Sequence, residues 1–103
     1  DEWEWKLFRF NRSISSEEVI RLMKEDGYEA GQIGHILTLG EMNPEEQRKY
    51  PIIGLGSVAE VSLRRSVPAL WHDDGRRELD LYWFDIDWDD YYRFLGVRRR
   101  SVA

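Results

Sequence analysis

The spacing of apolar residues along the chain changes near residue 51. Before this point, an alternating segment at residues 3–7 precedes stretches in which apolar residues recur at helical spacing. After it, short alternating segments are separated by turns. The order is therefore one strand, then two to three helices, then several strands. This order predicts an α+β domain in which the helices pack on a small antiparallel sheet.

The clearest helix signal begins at Ser15. Ser15 suits the N-cap position and Glu18 follows three residues later, as in a capping box. Ile14 and Val19 are spaced as in a hydrophobic staple. Gly27 is suited to end the helix, because glycine readily adopts the left-handed conformation that closes many helices.

Two weaker helical segments follow. Ala30, Ile33 and Leu37 share one face of the second segment, which we expect to be buried. Asn43 followed by Pro44 suits the start of a third, short helix with Asn43 as its cap.

Four strand segments are predicted in the second half, at residues 52–61, 67–71, 79–84 and 93–99. Within the third segment, Leu79, Leu81 and Trp83 are expected to face the core. The residues between them then face outward; they are Asp80, Tyr82 and Phe84. Exposed rings beside acidic residues are typical of a recognition surface, because rigid rings give contact area at low entropic cost. The alternative is a strand buried on both faces.

Several carboxylates surround Trp88, and they are Asp85, Asp87, Asp89 and Asp90. Hard cations such as Ca²⁺ bind oxygen ligands, but this loop lacks the glycine and glutamate positions of an EF-hand. We interpret the aspartates as solvated charge and expect no metal site. The alternative is a carboxylate-dependent hydrolase that uses Asp85, Asp87 or Asp89.

Composition narrows the function classes. A length of 103 residues fits one domain, and 5 Trp, 5 Tyr and 4 Phe are too many aromatic residues for a disordered chain. The absence of Cys excludes disulfides and zinc–thiolate sites, and a net charge of −5 argues against a nucleic-acid partner. His35 and His72 form no recognisable catalytic constellation with a serine, so we expect neither an enzyme nor a cofactor.

The same sequence gives expectations about location. It contains no apolar run long enough to cross a membrane and no visible signal peptide, which together with the lack of Cys favours a cytoplasmic location. The chain begins at Asp1 without a Met, so we expect that a segment preceded it.

Two segments carry a resemblance to a known family. Residues 43–57 (NPEEQRKYPIIGLGS) and residues 93–98 (RFLGVR) resemble small bacterial proteins of C-type lectin fold, the variable proteins of diversity-generating retroelements. The resemblance covers about residues 43–98. It implies a single C-type lectin-like domain over residues 1–103, with the N- and C-terminal strands paired and a variable ligand-binding region at about residues 69–92.

The resemblance also implies which positions bind the ligand. In that family, adenine-directed mutagenesis rewrites the ligand-binding codons, and an Asn codon changed in this way never gives Trp or Glu. Trp71, Glu78, Trp83 and Trp88 are therefore expected to belong to the scaffold. The expected ligand-binding positions are His72, Asp73, Asp74, Arg76, Asp80, Tyr82, Phe84, Ile86, Asp89, Asp90, Tyr91 and Tyr92.

The expected ligand is a protein of unknown identity, because a broad aromatic surface suits a flat epitope better than a small molecule. Trp88-Asp89-Asp90 resembles the Trp-Asn-Asp motif of calcium-binding lectins, but the proline triplet that completes their sugar site is replaced by Val67-Pro68-Ala69. A third interpretation is a structural assembly module in which the aromatic surface forms a subunit interface.

Overall fold

The computed structural model describes residues 2–73 and 75–100. Within this part of the chain the helices are α1 (Ser16–Glu25), α2 (Ile33–Met42) and α3 (Glu46–Lys49). The strands are β1 (Trp3–Phe8), β2 (Ile14–Ser15), β3 (Glu29–Ala30), β4 (Ile52–Ile53), β5 (Ala59–Val61), β6 (Arg64–Asp73), β7 (Arg76–Trp83), β8 (Asp87–Trp88) and β9 (Arg93–Arg99). The α+β class is confirmed.

The main sheet has seven strands, in the order β1-β9-β4-β6-β5, with β3 beside β9 and β7 beside β6. The expected pairing of the terminal strands is confirmed, since β1 runs antiparallel to β9 with Trp3 opposite Arg99 and Phe8 opposite Phe94. The expectation of a wholly antiparallel sheet is wrong, because β4 and β9 are parallel. Strands β2 and β8 form a separate antiparallel pair.

Both faces of the main sheet are covered, each by one of the longer helices. On one face, Ile36 and Leu39 of α2 pack with four buried residues of the strands, which are Ile52, Leu70, Leu95 and Val97. On the other face, Val19 and Met23 of α1 pack with a second buried set that includes Ile53, Val67, Ala69 and Phe94. We name these the α2 face and the α1 face.

The start of α1 is as the sequence predicts. The Ser15 side chain accepts a hydrogen bond from the Glu18 N–H at 3.2 Å, and the staple residues Ile14 and Val19 are both buried. The N-cap interaction satisfies one of the backbone donors that the first helical turn leaves unpaired.

The expected buried face of α2 is wrong. Ile33 and Leu37 are exposed, whereas Ile36, Leu39 and Gly40 are buried. Gly40 explains the rotation, because a Cβ at this position would lie 2.9 Å from Leu70 Cδ1 and the helix approaches the sheet along its glycine side. The third helix also starts later than expected, at Glu46, since Asn43 is the C-cap of α2.

The segment at residues 52–61 is two strands, β4 and β5, and not one. The turn between them lies against the backbone before α2, where the Gly56 N–H donates to the Gly31 carbonyl at 2.8 Å. A Cβ on Gly56 would lie 2.3 Å from the Ala30 carbonyl oxygen. This close backbone packing interrupts the strand segment.

The expected orientation of β7 is wrong. Leu79, Leu81 and Trp83 are 48%, 52% and 51% exposed, whereas Phe84, expected on the surface, is only 5% exposed. The three exposed side chains lie on the α2 face, opposite Leu70, Pro68 and Ser66 of β6. Because α2 packs on Leu70 and β7 lies one strand further out, the helix leaves this stripe uncovered.

No helix in the described part of the chain is long and apolar enough to span a membrane.

The two neighbours at the end of β7 provide a stability test. We expect Phe84→Ala to lower the free energy of unfolding by about 3–5 kcal/mol, because it leaves a cavity in the core. Trp83→Ala should cost about 1 kcal/mol, since that ring is half exposed and its main partner is Arg64, whose guanidinium lies 3.8 Å from the ring centroid. Urea denaturation of both variants measures the difference. Equal losses would contradict the assignment of Phe84 to the core and Trp83 to the surface.

Candidate recognition surface

The candidate site is built around the buried side chain of Trp88. Trp88 is 0% exposed and lies in β8, which is held against Ile14 and Ser15 of β2. Its Nε1–H donates to Ser16 Oγ at 2.8 Å, and the Ser16 hydroxyl donates to the Phe84 carbonyl at 2.7 Å. These two hydrogen bonds satisfy the indole and hydroxyl donors within the core, where unpaired donors are costly.

Three tyrosines pack on and around this indole. Tyr82 stacks on Trp88 with ring centroids 6.2 Å apart, and Tyr92 meets the same indole edge to face at 4.9 Å. Tyr82 and Tyr92 also contact each other edge to face at 6.0 Å. Tyr91 stacks on Tyr92 at 4.4 Å, and its hydroxyl lies 3.2 Å from the Tyr92 hydroxyl.

The exposed part of this cluster is the tyrosine surface, which we define as Tyr82, Tyr91 and Tyr92 with the exposed Asp80 and Asp89. Tyr91 is 51% exposed, whereas Tyr82 and Tyr92 are half-buried. Aromatic pairs in offset or edge-to-face contact stabilise one another beyond the area that they bury. The rings are therefore held in place by one another and by Trp88.

Arg93 fixes the loop that carries two of these tyrosines. Its Nη1 lies 3.4, 3.1 and 3.3 Å from the carbonyl oxygens of Asp90, Tyr91 and Tyr92. Its guanidinium also lies 4.1 Å from the Tyr50 ring centroid. The guanidinium of Arg93, the first residue of β9, is therefore a cationic hydrogen-bond donor to these three loop carbonyls.

The tyrosine hydroxyls are shifted toward their neutral form. Burial raises the pKa of Tyr92, and the hydrogen bond with Tyr91 and the charge of Asp89 raise it further. Burial also raises the pKa of Tyr82, with a smaller contribution from Asp80. At neutral pH, both hydroxyls are available as neutral hydrogen-bonding groups beside two carboxylates.

The structure brings together Asp80, Tyr82, Asp89, Tyr91 and Tyr92 from the expected ligand-binding set, and Asp90 is exposed in the same loop. Two members of the set are not on the surface as expected. Phe84 is in the core beneath, and Ile86 packs against the same core. Strand alternation places Phe84 on the same face as Tyr82, and α1 covers that face at Phe84, where the Ser16 hydroxyl donates to its carbonyl.

The remaining positions lie at the far end of the β6–β7 hairpin. Asp73 and Arg76 face each other there and are exposed. His72 is half-buried and lies on the α2 face, two residues beyond Leu70, so it points away from the tyrosine surface. Asp74 lies outside the described residues.

The scaffold positions are only partly as expected. Trp88 is confirmed as a core residue, and Trp71 and Glu78 are partly buried. Trp83 is half exposed, so its assignment to the core is wrong.

The aspartates around Trp88 do not converge on one point. Asp85 forms an ion pair with Arg65, whose Nε lies 3.0 Å from Asp85 Oδ2, and this interaction lowers the pKa of Asp85. A lowered pKa is the reverse of what a general acid in a glycosidase needs. Across residues 2–73 and 75–100, no group of three or more His, Asp or Glu side chains is placed to hold a metal ion.

Two surface features were not predicted from the sequence. A groove of about 310 Å³ lies between α2 and β1, where Trp3 and Trp5 face His35 and Met42. The alternation of Trp3 and Trp5 with charged residues signalled a strand with one apolar face, but it did not show that α2 leaves both rings half exposed. The second feature is the exposed stripe of Leu79, Leu81 and Trp83 on β7.

Comparison of the chain with models of protein families, with curated proteins and with solved structures gives no match.

The raised pKa values predict how stability depends on pH. A tyrosine with a raised pKa in the folded state loses its proton first in the unfolded state, so stability is full below about pH 10 and falls as the pH rises beyond it. We expect Tyr92→Phe to weaken this fall, because phenylalanine has no proton to lose. The measurement is the urea midpoint between about pH 8 and pH 11, compared with Tyr50→Phe, which removes a hydroxyl that bonds Glu46 outside the tyrosine surface. An unchanged slope in Tyr92→Phe would contradict the shift at Tyr92.

Proposed function

We propose that the chain is a protein-binding domain of C-type lectin-like fold, whose diversified recognition region at about residues 69–92 is centred on the tyrosine surface. The observation that carries the proposal is the packing of three tyrosines around a fully buried Trp88, with Tyr91 half exposed and two carboxylates alongside. A ring that is already fixed in place loses little conformational entropy when a partner covers it.

The chemistry of the surface indicates the kind of partner. Tyrosines supply an apolar ring and a polar hydroxyl, and such residues often contribute most of the energy of a protein interface. Asp80 and Asp89 are exposed and lie beside the rings, so they favour a partner with basic or hydrogen-bond-donating groups. The exposed rings and the two carboxylates together favour a protein epitope with a positive patch.

The separation of core and surface within one short segment supports diversification. Trp88 is buried and hydrogen-bonded, whereas Asp89 and Tyr91 point outward from the loop that follows it. Residues of the second kind can change with small effects on the core, since exposed substitutions usually alter stability by about 0.5 kcal/mol or less. The pairing of β1 with β9 and the helices on both faces agree with the element order of a C-type lectin domain.

A pair of double variants tests the binding surface. We expect Tyr91→Ser combined with Asp89→Lys to weaken capture of a partner from an extract of the native host by about tenfold or more, because it removes an aromatic anchor and reverses a charge. The matched control is Leu37→Ser combined with Glu41→Lys, which makes the same kinds of change on α2, away from both the tyrosine surface and β7. Both proteins should melt near the parent temperature. Loss of capture in the control alone would contradict the assignment of the site.

The genome of the source provides a separate test of diversification. We expect a reverse transcriptase gene near the coding sequence, together with an adenine-rich near-copy of the DNA that encodes residues 67–98. Differences between copies should fall on codons for exposed residues such as Tyr91 and spare the codon for Trp88. A genomic neighbourhood without such a copy would remove diversification from the proposal and leave the binding surface to be judged by the variants.

A further inference from the structure

The outer edge of β7 is open. Within the described residues, β7 pairs only with β6, so the side of the strand that faces away from β6 has no neighbouring strand. The strand is eight residues long and carries Leu79, Leu81 and Trp83 as an exposed stripe on the α2 face. Long apolar edge strands readily pair with another strand.

The hydrogen bonding of Pro68 shows which backbone groups of β7 point to this edge. Pro68 lies opposite Leu81, has no N–H, and its carbonyl accepts the Gly54 N–H at 3.0 Å on the β4 side of β6. Pro68 and Leu81 are therefore a non-hydrogen-bonded pair of the antiparallel ladder. The Phe84 N–H, three residues on, donates to the Arg65 carbonyl at 2.8 Å, which agrees with this alternation.

It follows that Leu79, Leu81 and Trp83 direct their backbone N–H and C=O groups to the open edge, since hydrogen-bonding direction alternates along a strand. The Leu81 N–H is bonded there to the carboxylate of its own neighbour, Asp80, at 2.8 Å. The same residues that carry the apolar stripe thus carry the backbone groups free for a further strand.

We propose that the open edge of β7 binds β7 of a second copy of this chain, in antiparallel register about a twofold axis at Leu81. In this register Leu81 lies opposite Leu81 of the second copy, and Leu79 lies opposite Trp83 of the second copy. Residues directly opposite each other in an antiparallel pair lie on the same face, so the two apolar stripes are adjacent. Every second pair exchanges two backbone hydrogen bonds, and here those pairs are Leu81 with Leu81 and Leu79 with Trp83.

The charges along β7 disfavour the twofold registers with an axis before Leu81, and an axis at Tyr82 would place Leu79 opposite Asp85, outside β7. An axis at Leu79 places Glu78 opposite Asp80 of the second copy at two points. An axis at Asp80 places Asp80 opposite Asp80 of the second copy, and an axis at Glu78 does the same for Glu78. Like charges directly opposite destabilise a strand pair. With the axis at Leu81, Asp80 lies opposite Tyr82 and no two charges of like sign within the strand meet.

The second copy is favoured over an unrelated strand because β7 is its own complement in this register. The interaction goes beyond the proposed function, since it uses the α2 face and the open edge of β7, whereas the tyrosine surface lies on the α1 face. On pairing, the Leu81 N–H exchanges the Asp80 carboxylate for the carbonyl of Leu81 of the second copy. The two tyrosine surfaces then lie side by side across the joined sheet, which permits bivalent binding.

Sedimentation equilibrium of the 103-residue chain up to about 100 μM tests the association, because a dimer dissociates on dilution. We expect the mass of a dimer at the upper end and of a monomer at the lower end. Leu81→Lys should raise the dissociation constant by about tenfold or more, since it places two ammonium groups opposite each other. The matched control is Leu37→Lys, which changes a similarly exposed leucine on α2 and should leave the constant nearly unchanged. A monomer throughout, or a dimer that survives Leu81→Lys, would overturn the proposal.

Single cysteines test the register, because the chain contains no Cys of its own. Leu81→Cys should form a disulfide-linked dimer with itself under mild oxidation. Leu79→Cys and Trp83→Cys should each cross-link poorly alone and efficiently when the two variants are mixed, since these positions face each other across the pair. Efficient self-linking of Leu79→Cys, with none from Leu81→Cys, would overturn the register.

Discussion

The hydrogen-bonded chain from Trp88 through Ser16 to Phe84 is the constraint on which the tyrosine surface depends. It joins the first turn of α1 to the bend after β7 and to β8, across 72 and 68 residues of sequence. Without Ser16, the indole donor and the Phe84 carbonyl would both be buried without this partner, which is costly. Because Tyr82 and Tyr92 pack on that indole, a serine in a distant helix sets the orientation of exposed rings.

Local signals in the sequence predicted the parts of the fold that local chemistry decides. The cap at Ser15, the bounds of β9 and the pairing of the terminal strands follow from side-chain spacing and from the need of an apolar strand for a neighbour. Tyr82, Tyr91 and Tyr92, which the sequence assigns to one candidate surface, are in contact with one another, but the sequence does not reveal the role of Ser16. A serine in the first turn of a helix is common, and its partners lie far away in the chain.

The orientation of β7 shows what alternation leaves open. A period of two assigns residues to two faces, yet the identity of the covered face depends on which helix reaches the strand. Leu79, Leu81 and Trp83 are the more apolar set, so composition favoured them for the core. Because β7 lies one strand beyond α2, these three side chains are exposed, whereas Phe84 lies on the α1 face and is buried.

The edge position of β7 also gives the strand two different faces. A central strand has a neighbouring strand on each side and packed layers on both faces of the sheet, so most substitutions in it disturb the core. An edge strand has only one neighbouring strand, so fewer substitutions in it do so. On β7 the α1 face carries Asp80 and Tyr82, and the α2 face carries the apolar stripe. The backbone groups of the stripe point outward, as the Pro68 carbonyl on the β4 side indicates, and the Asp80 carboxylate accepts the Leu81 N–H. A residue of the tyrosine surface therefore also occupies the backbone donor of the open edge. We expect substitutions at Asp80 to affect both the proposed recognition and the proposed strand pairing.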